Sequence, residues 1–556
     1  MPSLVTDNFR MFAAQQFVES LEEPYTNTAT PPTQTSDTDA QSQAYRSKIY
    51  LFIGRSQNWN DTSTINAVIE KYKGFTNISD LNPPSPVDSI DELSEIYDDM
   101  IALKRVNRSD VCEVVRKRVW QKDIVYDMYK DDYGTLKTDG NIKLSSNGQS
   151  KLYNCNFYVM NSQFQVFKCI YNNQTVANPS GTPSTVEPTG TSTSIITLSD
   201  QYKWKYMYTI TIPDYIKFVS TDFMPVRIDS TVQTAAVNGA IHQVIIESAG
   251  SGFVTAENGT YFVPVRGDNT NNCIVQITIS SQSLTSATIA TNNGTLLTGS
   301  NYSYGYLDYS RCYKQLAKAL NESTAVSSDY ENFVTKNMKI TPIISPPGGH
   351  GSNALYELGA YRIMINKSLD FLDGEGDIPV DMQFRRFGLI EDPQRNGTSE
   401  DYVINTATAC RAIKFSTLTF NGNFNIGEII RQPSTGATGR VIHWDSINKV
   451  LRYYQNEYIN GTQTAELQYK YIPFSGTSAI NGSPTTEGGS GITGAIPDTS
   501  FSNNQTIPET SGIVFANGYS VSEVKKFSGK ILYVENRKPV VRSNDQIEDV
   551  KLVIEF

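Results

Sequence analysis

Between residues 202 and 212 the chain alternates. Tyr202, Trp204, Tyr206, Tyr208, Ile210 and Ile212 fall on one side; Lys203, Lys205, Met207, Thr209 and Thr211 fall on the other. A period of two is that of a β-strand. Six large side chains on one face, at about 1.5–3 kcal/mol for each that is fully buried, predict a sheet nucleus. Pro213 cannot donate to a ladder and ends the run. Rings interleaved with lysines also match a nucleic-acid stacking platform. A formal net charge of −10 argues against it, because a general nucleic-acid binder needs a cationic face to displace counterions. The local basic candidate is Arg116, Lys117 and Arg118.

A chain of 556 residues exceeds one core and predicts two to four domains. Its 32 Tyr, 24 Phe and 37 Gly, with long Ser/Thr/Asn tracts, favour strands and turns over helices. The six cysteines (Cys112, Cys155, Cys169, Cys273, Cys312, Cys410) are scattered without a CxxC pair, and read as small apolar core residues of a chain made in a reducing cytoplasm. His242, His350 and His443 stand far apart in sequence, so no zinc site is expected. The amino terminus lacks a basic segment followed by a long apolar one, so no secretory signal is expected. No run reaches the ~20 apolar residues of a membrane span, so direct membrane insertion is not expected.

Residues 5–22 predict a short amphipathic helix with Phe9, Phe12, Ala13 and Phe17 near one face, followed by a polar arm at 27–43. The apolar run 48–53 predicts a strand covered on both faces. Ser89 and Glu92 have capping-box spacing, opening a helix with an apolar stripe of Ile90, Leu93, Tyr97, Met100 and Ile101. The acidic and tyrosine-rich tail 126–133 predicts a solvated loop with Tyr packing rather than a calcium loop, for which Gly and terminal Glu are missing. Asn161 and Ser162 mark a hairpin turn, and 172–199 a long surface loop.

Two stretches change texture. Residues 232–330 thin in charge and alternate short β-runs with Gly/Asn/Ser turns; residues 408–481 do the same, and a Gly/Ser/Thr/Pro-rich linker at 475–511 follows. Both read as small all-β insertions. The loop PPGGHGSN (346–353) lacks phosphate-loop spacing and reads as a shaped turn. The segment from Asp373 to Asp377 (DGEGD) is the better cation candidate, without the remaining frame of an EF-hand. No GxSxG, HExxH or convergent acid–base set occurs, so no catalytic, cofactor-binding or metal residues are expected.

The last 28 residues supply an apolar run at 531–534, polar residues 535–538, Pro539, turn chemistry at 543–545, and an alternating end. There Val550, Leu552, Ile554 and Phe556 point one way, with Val553 breaking the pattern. A chain ending on a strand Phe is tied into a sheet at its terminus.

Several blocks together carry a resemblance. They are FIGRS (52–56) with Trp59, PVDS (86–89), RKR (116–118) with Trp120, VFKC (166–169), YKWKY (202–206) through IPD (212–214), FRRFGLI (384–390) and YVENRKPV (533–540). In their order, covering about half of the chain, they resemble the gene product eight family, baseplate wedge proteins of T-even-type contractile-tailed bacteriophages. The resemblance implies a mainly β fold: a layered β-sandwich core with helix-bearing loops, here with two small all-β insertions. The organisation it suggests is an N-terminal helix and arm (1–45), a core domain in three parts (46–231, 331–404, 511–556), and insertions at 232–330 and 405–510. It further implies a non-enzymatic homodimer bound to other baseplate wedge proteins, located in the virion tail baseplate and assembled in the host cytoplasm. An insertion whose ends stay close costs little closure entropy, ~0.6 kcal/mol per doubling of length. The alternative expectation is a tail-associated glycan-binding or glycan-cleaving protein acting through its β insertions.

Overall fold

The computed structural model describes residues 5–21, 48–59, 78–136, 140–370, 378–416, 420–455, 472–501, 515–543 and 545–556. The fold is mainly β, built of antiparallel sheets. Two compact units divide the chain. One comprises Met1–Gln15, Cys112–Met364 and Val553–Phe556; the other comprises Gln16–Val111 and Ile365–Leu552.

In the first unit the alternating run forms the strand Tyr202–Thr209, paired with Gln165–Asn172, which turns at Asn161 into Tyr158–Met160. Tyr202, Trp204, Tyr206, Tyr208 and Ile210 are all buried in one core, which leaves no ring face for a nucleic-acid base. The strand is shorter than its pattern. Ile212 is exposed and opens the helix Ile212–Phe218, where Pro213 occupies the first turn and Thr211 caps by accepting from the Asp214 N–H. Residues 241–344 build a separate core. The strand Ile241–Ala249 pairs with Met338–Ile344, and between them lies a seven-stranded sheet around Gly259–Gly267 and Asn271–Ser280.

The tail 126–133 shows the expected Tyr packing, but its first half is not a solvated loop. Tyr126, Asp127, Met128 and Tyr129 are buried, and the Asp127 carboxylate accepts from the Asn147 and Asn156 N–H groups. Burial is tolerated because two backbone donors satisfy the charge.

The N-terminal helix Asp7–Ser20 also buries a different face: Met11, Ala14, Val18 and Leu21 are buried, while Phe9 and Phe12 are more than half exposed. Spacings of three and four hold for the smaller set, and aromatic size misdirected the sequence reading. At the other terminus Phe556 N–H donates to the Tyr361 carbonyl, and Val553 packs with Cys112, Val114, Phe218 and Met364. The residue that breaks the alternation therefore packs against an apolar cluster, between the exposed Lys551 and Glu555.

In the second unit a five-stranded sheet runs Thr406–Thr408, Met100–Arg105, Ile49–Gly54, Met382–Glu391, Lys530–Arg542. Ile49–Gly54 is buried at all six positions, as its lack of alternation predicts. Lys530–Arg542 is one unbroken strand despite its polar middle and Pro539. The register against Met382–Glu391 slips between Phe384 and Arg386, so three residues, Pro539 among them, lie opposite Arg385. A proline needs no ladder partner in such a bulge. A second sheet, Ile429–Gln432, Ala437–Asp445, Val450–Tyr454, Arg411–Lys414, Tyr519–Ser520, encloses Phe415, Phe424, Trp444 and Tyr453. The expected linker at 475–511 is largely part of this module. Ile480, Ile492 and Ala495 are in its core, and the Glu428 carboxylate accepts from the N–H groups of Ser483 and Ser490. Small residues there serve close packing rather than slack.

All six cysteines are free and buried. No helix among the described residues is long and apolar enough to cross a membrane.

Candidate functional site

Two buried polar clusters, one in each unit, draw on charged residues of the blocks quoted above.

In the second unit the helix Ile90–Asp99 buries its acidic side. Glu92, Glu95, Ile96 and Asp99 are buried at helical spacing, whereas Ile90 is 82% exposed. The expected apolar stripe therefore faces the wrong way, and the helix stops before Met100, which begins a strand. Ser89 caps by accepting from the Glu92 N–H (3.1 Å), while the Glu92 carboxylate takes Arg386 Nη2 at 2.8 Å. Arg386 is fully buried; its Nη1 reaches Asp99 Oδ2 at 3.0 Å and its Nε reaches Asn536 Oδ1 at 2.9 Å. The amide of Asn536 is completed by donation to the Pro84 carbonyl (3.0 Å). Arg55, also fully buried, places Nη1 3.7 Å from Asp99 Oδ2 and stacks 4.2 Å over the Trp59 ring. Burial pushes the Asp99 carboxyl up to about 6, against the pull of Arg386 and Arg55. Arg385, the neighbour of Arg386 on the strand, points the other way and clamps Asp80 with Nε and Nη2 (2.9 and 2.8 Å). The blocks at 52, 86, 384 and 533 thus converge on one ion network.

In the first unit Lys168 Nζ is paired with Glu357, both buried, and lies 4.6 Å over the Tyr129 ring. Glu357 sits on the short helix Ala354–Leu358, capped by Asn353. Its Oε1 accepts from the Gly351 N–H (2.7 Å) and the Asn353 N–H (3.3 Å). Gly351 has φ +95°, and a Cβ there would meet Val232 at 2.5 Å and Lys205 Cε at 3.1 Å, so glycine permits this turn. The buried His350 ring lies edge-on to Tyr129 (5.1 Å between centroids) and 5.7 Å from His242, with Nδ1 3.9 Å from Glu357. Burial works against the Glu357 charge, but the Lys168 ammonium and His350 hold it down at about 2. Burial, then Lys168, lowers His350 to about 3; burial, then Lys205, Lys168 and Lys203, lowers His242 to about 4. Both imidazoles are neutral at neutral pH. A cleft of about 430 Å3 is lined by Lys205, His242 and His350 together with Thr193, Thr295 and Thr298.

The histidines, distant in sequence, are thus brought together in one pair; His443 belongs to the second unit. No spacing rule could have found that pair, and the Gly-rich loop around His350 was its one local signal. In the basic run Arg116 is exposed, and Lys117 and Arg118 are half-buried. The Arg116 and Arg118 guanidiniums lie over the Phe223 and Tyr158 rings, and Arg118 donates to the Cys155 carbonyl. The stretch from Asp373 to Asp377 lies outside the described residues. Among the described residues, no group of three or more His, Cys, Asp or Glu is placed to hold a metal ion.

No protein-family model matches the chain, and no curated protein shows a significant match to it.

Proposed function

We propose that this protein is a structural component of the tail baseplate wedge of a contractile-tailed phage, a dimeric scaffold that joins neighbouring wedge proteins and takes part in baseplate assembly and rearrangement. The observation that carries the reading is where the resembling blocks meet. Arg55, Trp59, Glu92, Arg386 and Asn536, drawn from or beside four of them, share one buried network. Residues so engaged hold a fold together; none is left facing a substrate, which suits a scaffold better than an enzyme.

Cross-linking inside assembled virions tests the assignment: links to other baseplate proteins are expected, and their absence from tails overturns it. Sedimentation tests the dimer; a mass that stays monomeric at every concentration refutes that part.

A glycan-binding role of the module at 241–344 is a second reading, favoured by Tyr304 and Tyr306, each 57% exposed. Saccharide-dependent retention on host surface polysaccharide would support it, and elution without retention would remove it.

A further inference from the structure

We propose that the cleft lined by Lys205, His242 and His350 is an oxyanion-binding site that takes a phosphate group, free or carried on a small molecule such as a sugar. The inference does not rest on the baseplate reading.

Charge imbalance is the first argument. Lys205 lines the cleft, and Lys168 and Lys203 stand near enough to depress His242 with it, Lys203 lining the neighbouring cleft. The carboxylate set against them, Glu357, is already engaged by Lys168 and by two backbone N–H groups. Lys203 donates to the Gln243 amide oxygen (2.8 Å) and Lys205 to the Thr193 carbonyl, both neutral acceptors. Cations drawn out of water are costly unless an anion compensates them, so a bound anion gains more here than at a solvated surface.

Shape and donors are the second. About 430 Å3 falls in the range of small-molecule sites and leaves room for an organic carrier. A neutral imidazole keeps one N–H donor and does not add to the charge repulsion. Lys205, His242, His350 and three threonines offer donors for the three acceptor oxygens of a phosphate group, beside apolar lining such as Val237 and Leu296. Lys205 is held at the cleft wall by its bond to the Thr193 carbonyl, in space that the side-chain-free Gly351 leaves open.

The test is titration of the full-length protein with inorganic phosphate, with glucose 6-phosphate, and with glucose as the uncharged control, followed by calorimetry. Saturable binding of either phosphate, absent for glucose, is expected. Tighter binding of the sugar phosphate assigns a carried group, and tighter binding of inorganic phosphate a free ion. Lys205→Met should weaken binding at least tenfold. His242→Gln, at a half-buried position, serves if the lysine variant does not fold, and should weaken binding severalfold. No saturable binding to the folded protein overturns the proposal. So does binding that is unchanged in whichever of these variants folds, because the phosphate then sits elsewhere.

Discussion

Arg386 and Asp99 form a fully buried ion pair in the second unit, Nη1 lying 3.0 Å from Oδ2 and 3.2 Å from Oδ1. The pair joins a strand of the central sheet to the last turn of the helix Ile90–Asp99. Glu92 and Asn536 complete the shell of the guanidinium. Arg386→Met should cost about 3–5 kcal/mol, because it strands two buried carboxylates. Adding Asp99→Asn should restore part of that loss by removing one stranded charge. Urea midpoints of the two variants measure this, and equal midpoints would sink the account.

Gly388 stands between Phe52 and Val534 in the same sheet. A Cβ there would lie 2.1 Å from the Tyr533 carbonyl oxygen and 2.6 Å from the Phe52 ring. Gly388→Ala should therefore destabilise by about 1–3 kcal/mol through overpacking. A lowered apparent Tm is the expected result, and an unchanged one would show the strands can part without cost.

Acid should weaken the fold through its histidines. His242 and His443 are lowered to about 4 and His350 to about 3, from an ordinary 6.5. Because the folded values are depressed, the stability they contribute is fully present above pH 6.5 and is lost as pH falls towards 4. The unfolded chain takes up protons that the native one refuses. The slope is up to about 1.4 kcal/mol per pH unit for each histidine. Denaturation midpoints between pH 7 and 4 should fall, and fall less steeply in His350→Gln.

Removal of the last eight residues should abolish soluble folding. They supply buried Leu552, the Val553 contact, Glu555 paired with Arg362 (2.7 Å), and the Phe556 link to Tyr361. Arg10 of the N-terminal helix binds both Glu555 and the Phe556 carbonyl. A soluble, protease-resistant truncation would show the strand to be peripheral.

Much of the fold was legible wherever apolar residues alternate along a strand or run unbroken through one. The strands at 49–54 and 202–209 were readable from period and length, and the cap at Ser89 from local chemistry, whereas Thr211, read as part of its strand, instead caps the helix Ile212–Phe218. Apart from the N-terminal helix, where aromatic size misled, errors arose where burial was polar. The helix at 90–99 buries carboxylates, the strand at 530–542 runs through Asn536 and a bulged proline, and Asp127 is inside. Apolar periodicity cannot report a charged face whose partner, Arg386, lies 294 residues away.

By itself, then, the sequence determined a mainly β chain with buried free cysteines and an aromatic strand nucleus, because pleat alternation and turn residues act over a few positions. Only the tertiary structure decided which charges are interior. Arg55, Arg386, Glu92 and Asp99 in one unit, and Lys168, Glu357, His242 and His350 in the other, are adjacent only because helices and loops pack against paired strands. Their energetics depend on desolvation and on partners that only the folded chain brings within a few ångströms.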